Sequence, residues 1–160
     1  MKLIVAVDQN WAIGKDGDQL VYLSTDLRRF KEITMGHPII LGRKTLATFP
    51  GGRPLKGRRN LILSRTPGFQ AEGAEVFGDL ESLKAAAPAD AVVVGGGSVY
   101  RALLSWCDTA YVTRIEAEYP ADTWFPNLDQ DPEWTVLWES ASLEEKGISF
   151  RYVTYGRRGS

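Results

Sequence analysis

The chain is poor in the residues that staple small proteins or hold metals. Among 160 residues there is one cysteine, Cys107, and one histidine, His37. A single cysteine excludes an intrachain disulfide and fits a reducing compartment. With so few ligands of either kind the usual zinc constellations are excluded, and no metal is expected. Long apolar runs are also missing. Leu3 to Val7 and Ala91 to Val94 fall far below the roughly 20 residues of a membrane helix, so no membrane is expected as a partner. Met1–Val7 lacks a cleavage pattern and reads as a strand. There is no repeat, low-complexity tract or linker, which predicts one domain over residues 1–160, soluble and cytoplasmic. Gly159-Ser160 carries no visible role.

What is present is a globular composition, 44% hydrophobic and 24% charged, in a chain long enough to bury a core unaided. The formal charge is −1. Its distribution says more than its sum. Between Gly36 and Ala71 stand Arg43, Lys44, Arg53, Lys56, Arg58, Arg59 and Arg65, with no Asp or Glu. A cationic window in an otherwise acidic chain points to an anionic ligand at one place; the plainer reading is a solvated basic face. Nucleic acid is not expected, because pI ≈ 5.9 is wrong for it and only Phe49 and Phe69 offer stacking rings there. Phosphates or carboxylates of a small molecule fit better.

Leu3 to Val7 reads as a strand buried on both faces, followed by a polar loop from Asp8 to Leu20 that turns at Gly14 and Gly17. Ser24-Thr25-Asp26 opens a helix that runs to about Met35 and stops at Gly36 and Pro38. Further strands are expected at Pro38–Leu41, Leu61–Leu63, Ala74–Phe77, Ala91–Val94 and Thr109–Ile115. Helices are expected from Lys44 or Thr45, over Asp79–Ala87 and over Ser98–Ser105. Two late antiparallel strands are read at Thr135–Trp138 and Ile148–Tyr155. The predicted fold is an α/β three-layer sandwich: a central, mostly parallel eight-stranded sheet, an antiparallel C-terminal edge strand and about four flanking helices. No exposed apolar stripe is evident, so a monomer is expected.

Three times a strand ends in a small or basic turn and a helix is expected to begin: Gly42-Arg43-Lys44-Thr45, Ser64-Arg65-Thr66 and Gly95-Gly96-Gly97-Ser98. In an open parallel sheet such turns gather at the carboxyl edge, where ligands bind. Glycine admits close backbone approach, and Arg43, Lys44, Ser64 and Arg65 suit a phosphate. Together the turns point to a dinucleotide with an extra phosphate. The segment Gly95 to Tyr100 is not a Rossmann fingerprint, since Tyr100 stands where the third glycine belongs; Glu116 then reads as a strand-end surface residue.

Helical spacing puts Asp26 on one face with Leu27, Phe30, Ile33 and Thr34, and turns Arg28, Arg29, Lys31 and Glu32 elsewhere. Two readings of Asp26 stand. It is a first-turn acid favoured by the helix dipole, or a lone acid in an apolar cleft with a raised pKa and a proton to exchange. Burial and the helix end act in opposite directions, and spacing does not say which prevails. His37 reads as a loop residue and Cys107 as a structural thiol.

In order along the chain, Ile4-Val5-Ala6-Val7, Trp11-Ala12-Ile13-Gly14, Asp26-Leu27-x-x-Phe30-Lys31 and Gly42-Arg43-Lys44-Thr45 are followed by Arg53-Pro54-Leu55-x-Gly57-Arg58 and Leu63-Ser64. Val94-Gly95-Gly96-Gly97-x-Val99-Tyr100 and Asp122-Thr123-x-Phe125-Pro126 complete the series. The whole resembles the dihydrofolate reductases of bacterial type. The resemblance implies NADPH as cofactor and 7,8-dihydrofolate as substrate, reduced to tetrahydrofolate for one-carbon metabolism, in an antifolate target. It implies that Asp26 binds the pterin and promotes protonation at N5, supported by Thr113. Val5, Ala6, Leu27, Phe30 and Lys31 fall at the implied substrate positions. So do Phe49, Leu55, Val94 and Tyr100, with Arg58 on the glutamate α-carboxylate. The cofactor set is Ala6, Ile13 and Gly14 near nicotinamide, then Gly42, Arg43, Lys44, Thr45, Leu63, Ser64 and Arg65. Gly95, Gly96, Gly97, Ser98, Val99, Tyr100 and Thr123 complete it, with a cis Gly95–Gly96 peptide expected.

Two alternatives stand beside this: a same-fold reductase of another heterocycle, such as a pyrimidine of riboflavin synthesis, and an NADPH-binding protein without catalysis. Arg58 and the Asp26 face favour a pterin with a glutamate tail. The chain departs from the family pattern at Leu20-Val21-Tyr22, where many members have Leu-Pro-Trp, so Val21 stands in place of an indole that packs near the pterin. Ala121, where glycine often precedes Asp-Thr, is a lesser departure. Val21→Trp is expected to fold normally; a variant that fails to fold, read by circular dichroism, would mean a pocket of different shape.

Overall fold

The computed structural model describes residues 1–159; Ser160 lies outside the described residues. Short β-branched and leucine-rich runs form the strands β1 (Lys2–Val7), β4 (Ile39–Gly42), β5 (Asn60–Leu63), β6 (Ala74–Phe77), β7 (Val92–Gly95) and β8 (Thr109–Ile115). Between and after them come β2 (Ala12–Lys15), β3 (Asp18–Gln19), β9 (Thr123–Trp124), β10 (Trp134–Glu139), β11 (Leu143–Glu145) and β12 (Ile148–Arg157). Four α-helices are present among the described residues: α1 (Ser24–Thr34), α2 (Arg43–Thr48), α3 (Leu80–Ala86) and α4 (Gly97–Leu103).

The main sheet runs β10-β12-β8-β1-β7-β4-β5-β6, with β11 paired to β12. The pairs from β8 to β6 are parallel, and β12 joins β8 antiparallel. The eight strands along this path match the number expected; the two late strands read at Thr135–Trp138 and Ile148–Tyr155 are β10 and β12, and β11 makes a ninth. Both faces are covered, as continuous apolar strands require. Ile40, Leu61 and Val93 pack with Leu83 of α3 and Val99 and Leu103 of α4. Their neighbours Ile39, Leu41 and Ile62 face the other way, against Leu46 of α2. Leu23, at the start of α1, packs on Ile115, Phe150 and Tyr152.

Two expectations are corrected. The loop from Asp8 to Leu20 contains β2 and β3, which form a second sheet with β9. Strands this short show no alternation, and one of the two partners of β2, β9, is more than a hundred residues away. The tail also exposes apolar surface: Val136, Leu137 and Trp138 on edge strand β10 are 44%, 63% and 51% exposed. A register shift between Val136 and Trp138 breaks the period-two pattern there. Among the described residues, no helix is long and apolar enough to cross a membrane.

Ile40 is fully buried in the central strand. Ile40→Ala is expected to lower unfolding stability by about 3 kcal/mol, through lost burial and the cavity left behind. Urea denaturation checks this.

Candidate active site

Parallel β7, β4 and β5 are neighbours in the sheet, so their carboxyl ends fall side by side. The turns after Gly42, Leu63 and Gly95 therefore share one rim, as expected, but a helix follows only the first and last; the chain after Leu63 runs through Pro67 and Gly68 to β6. The Gly95–Gly96 peptide is cis. A Cβ on Gly42 would lie 3.2 Å from Val99 Cγ2, and one on Gly96 3.3 Å from Thr45 Oγ1. Glycine is demanded most strongly at Gly97, where a Cβ would come 2.6 Å from Thr123 Cγ2. The turns after Gly42 and Gly95 and the Asp122-Thr123 segment are thus packed together.

Arg43, Lys44 and Arg65 are exposed on this rim, and Ser64 is buried with its Oγ accepting from Thr66 N at 3.2 Å. Neither α2 nor α4 has a side-chain cap, which leaves first-turn N–H groups open to an outside acceptor. Two recesses open on the cationic side. One of about 640 Å³ is lined by Ser64, Arg65, Thr66 and Phe69. The other, of about 1040 Å³, is lined by Arg43, Arg53, Leu55, Arg58 and Phe69. Cations, free N–H groups and glycine turns suit a phosphorylated dinucleotide, so the residues present fit such a cofactor. Asp26 lines neither recess.

Asp26 belongs to the first turn of α1, and its Oδ1 accepts the Thr113 hydroxyl at 2.6 Å. Thr113 is buried on β8, paired in register with Ala6 of β1. Tyr100 of α4 is buried beneath the same strand and donates its hydroxyl to Ile4 O at 2.6 Å. Burial raises the Asp26 pKa above its ordinary 3.8; the Thr113 hydrogen bond and Arg29 act against it, and Glu145 with it. The open question about this acid is answered: burial prevails. Val5 and Ala6 lie on β1, Ile13 and Gly14 on β2, and Val94 on β7.

Phe49 and Leu55 pack with Leu46 and Ile62. Arg58 is half-buried. Its Nε and NH2 donate to Lys56 O at 2.9 and 2.7 Å, and its NH1 donates to Thr34 Oγ1 at 3.2 Å. Burial pushes its pKa down from the usual guanidinium value.

The predicted helix face needs revision. Leu27 is 44% exposed, while Arg29, read as pointing away, is partly covered and lies over the Tyr152 ring. The two positions lie on either side of the stripe that packs on the sheet, and Arg29 is three residues from Asp26 on the face that reaches β12. Lys31 is exposed.

Other functional residues escaped sequence reasoning because their partners are remote. Glu145 caps α1: its Oε2 accepts from Ser24 N at 2.6 Å, and its Oε1 accepts from Thr25 N at 2.9 Å and Thr25 Oγ1 at 2.7 Å. Asp8 is buried and ties the loop after β1, accepting from Asn10 N, Ala12 N and Tyr119 N. Asp122 accepts from Asp16 N at 2.9 Å and donates its own N–H to Gly14 O at 3.0 Å. Tyr22 donates to Asp18 Oδ1; burial, with Asp18, pushes its pKa up to about 12. His37 meets Asp90 at 3.1 Å on the surface, and burial pushes the Cys107 thiol up to about 11, as a structural cysteine would have it.

A doubly covered parallel sheet with glycine-rich turns and cations on its rim, beside one desolvated carboxyl, defines a dinucleotide-binding α/β protein of the oxidoreductase kind. The family model described as "Dihydrofolate reductase" matches residues 1–157, and the chain belongs to the dihydrofolate reductase family. It is 34% identical over 163 residues to the dihydrofolate reductase of Bacillus subtilis, covering 100% of this chain and 96% of that one. It is 38% identical over 159 residues to that of Mycobacterium tuberculosis, covering 97% and 96%. The solved structure of dihydrofolate reductase from Enterococcus faecalis, complexed with NADP(H) and RAB-propyl, superposes with a TM-score of 0.85 at 33% identity, over 98% of this chain and 95% of that one.

The raised pKa has a consequence for stability. A carboxyl whose folded pKa exceeds its unfolded value adds stability below the unfolded value, and loses it as pH rises through the folded pKa. At neutral pH ionised Asp26 therefore weakens the fold. Asp26→Asn is expected to melt above the parent at pH 7, with the gap closing as pH falls toward 3.8; calorimetry at several pH values checks this.

Proposed function

We infer that the chain is an NADP-dependent oxidoreductase that reduces 7,8-dihydrofolate to 5,6,7,8-tetrahydrofolate, with NADPH as cofactor. The observation that carries this reading is Asp26: a carboxyl whose pKa burial raises, anchored by the Thr113 hydroxyl on β8. When bound, NADPH supplies the hydride, which goes to pterin C6. Asp26 binds the pterin and promotes delivery of a proton to N5, so one hydride and one proton complete the reduction. Thr113 keeps the carboxyl in one orientation by donating its only O–H to Oδ1. Leu27, Phe30, Phe49 and Leu55 form the apolar walls, and Arg58 pairs with the α-carboxylate of the glutamate tail.

Arg43, Lys44, Thr45, Ser64 and Arg65 hold the phosphates, while Gly95 to Tyr100 and Thr123 form the cradle. Ala6, Ile13 and Gly14 meet the nicotinamide; Val5, Lys31 and Val94 complete the substrate side. Catalysis is then mostly positioning, with one tuned proton source. The chain works as one domain and as a cytoplasmic monomer; the bulge on β10 interrupts the edge along which two copies would pair. No observation favours a reductase of another heterocycle or a non-catalytic NADPH binder.

A spectrophotometric assay with NADPH and dihydrofolate tests the reading. Steady NADPH consumption is expected, falling at least about 100-fold in Asp26→Asn. Parent-like turnover in that variant would remove Asp26 from its role.

A further inference from the structure

Arg29 lies with its guanidinium 4.0 Å from the centroid of the Tyr152 ring, and the Trp138 ring is next, at 5.9 Å. It is three residues beyond Asp26 on α1, a neighbour on the helix surface. Tyr152 stands on β12, and its Cα partner across the ladder is Thr113, the residue that bonds Asp26. Side chains directly opposite in an antiparallel pair share a face. Asp26, Thr113, Tyr152 and Arg29 therefore close a circuit of neighbours: helix to β8, β8 to β12, and β12 back to the helix. Tyr152 is only 7% exposed, and its hydroxyl has no hydrogen-bond partner. A phenylalanine would fill this place without leaving a buried hydroxyl unpaired.

The groups that act on the Asp26 carboxyl come from every element around it. Thr113 on β8 and Arg29 on α1 favour its charged form, and Glu145 on β11 opposes it. Tyr152 on β12 and Tyr100 on α4 both feel its charge. Among these groups Arg29 is the sole cation facing Asp26, and no direct ion pair joins the two among the described residues.

We propose that Arg29, clamped over the Tyr152 ring and three residues from Asp26 on α1, is a positioning residue that acts through its charge on the proton Asp26 delivers. A planar, weakly hydrated guanidinium is suited to this, because an aromatic face fixes it without removing its charge. Tyr152 serves as the clamp, and Trp138 screens its outer side.

The kinetic consequence rests on the reductase reading; the charge relation does not. The test is therefore a ¹³C NMR titration of the Asp26 carboxyl in the ligand-free protein, with Asp26→Asn used to assign the signal. Arg29→Met is expected to raise the midpoint by about one pH unit, a tenfold gain in proton affinity. Arg29→Lys keeps the charge but not the stack, and falls between Arg29→Met and the parent. Tyr152→Phe keeps the ring and shifts the midpoint less than Arg29→Met does. In turnover, the fall of kcat at alkaline pH moves upward in Arg29→Met by the same amount, with the Kd for NADPH unchanged. An unmoved Asp26 midpoint in folded Arg29→Met overturns the proposal, and so does Arg29→Lys behaving like Arg29→Met. A parent protein that does not turn over dihydrofolate refutes the reductase reading instead, and the titration still decides the role of Arg29.

Discussion

Asp26 sits in the first turn of α1, where the helix dipole stabilises negative charge, yet its carboxyl holds a proton more tightly than a free aspartate. The structure resolves the conflict. The positive end of the helix is already engaged, since Glu145 accepts from Ser24 N and Thr25 N, the N–H groups that would favour an anion. Its carboxylate brings a negative charge to the place where the dipole would have helped Asp26. What remains for Asp26 is burial, one hydroxyl and a nearby cation. The position of α1 against the sheet thus depends on a hairpin more than a hundred residues away, and so does the acidity of its key residue.

The ligand rim obeys a different constraint. It is built from backbone, with side chains excluded at several points. Gly97 leaves no room for a Cβ beside Thr123, and Gly42 and Gly96 are nearly as tight. Close packing joins the turn after β7 to the segment that carries β9, which in turn pairs with β2. Asp122 adds hydrogen bonds to the loop on the other side. Movement of the Asp16–Gly17 turn is therefore coupled to the cradle through one short stretch of chain, Ala121 to Trp124. Tyr22 ties the same loop to the entrance of α1 through Asp18.

Much of this was legible in local chemistry. Buried strands ending in glycine or a cation predicted the rim, because a parallel sheet must bring neighbouring strand ends together. The apolar stripe around Asp26 singled out the acid but left two readings of it open, and Leu27, placed on that stripe, is exposed. Periodicity alone misplaced Arg29, since an arginine is assigned to solvent by its charge, while its three-carbon stem and planar head can lie along an aromatic ring. Glu145 carries no local signal, and the remote contacts of Asp8 with Tyr119 N and of Asp122 with Asp16 N exist only because the tertiary fold brings those N–H groups within reach. The two-residue strands β3 and β9 were invisible for the same reason, as pairing and not composition makes them strands.

Val21 gives these observations a common setting. It stands where the family pattern has tryptophan, and it packs at the margin of the cluster formed by Leu23, Ile115, Phe150 and Tyr152. A valine in this place supplies apolar volume but no N–H group, so polar contact near the carboxyl must come from elsewhere. The same cluster contains a buried tyrosine hydroxyl from the sheet, and a guanidinium from the helix covers that ring. Charge therefore faces this cluster from the second turn of α1, where Arg29 lies over the Tyr152 ring. A carboxyl can be desolvated by its burial and still be restrained electrostatically, and in this chain the restraint comes from Thr113 and Arg29.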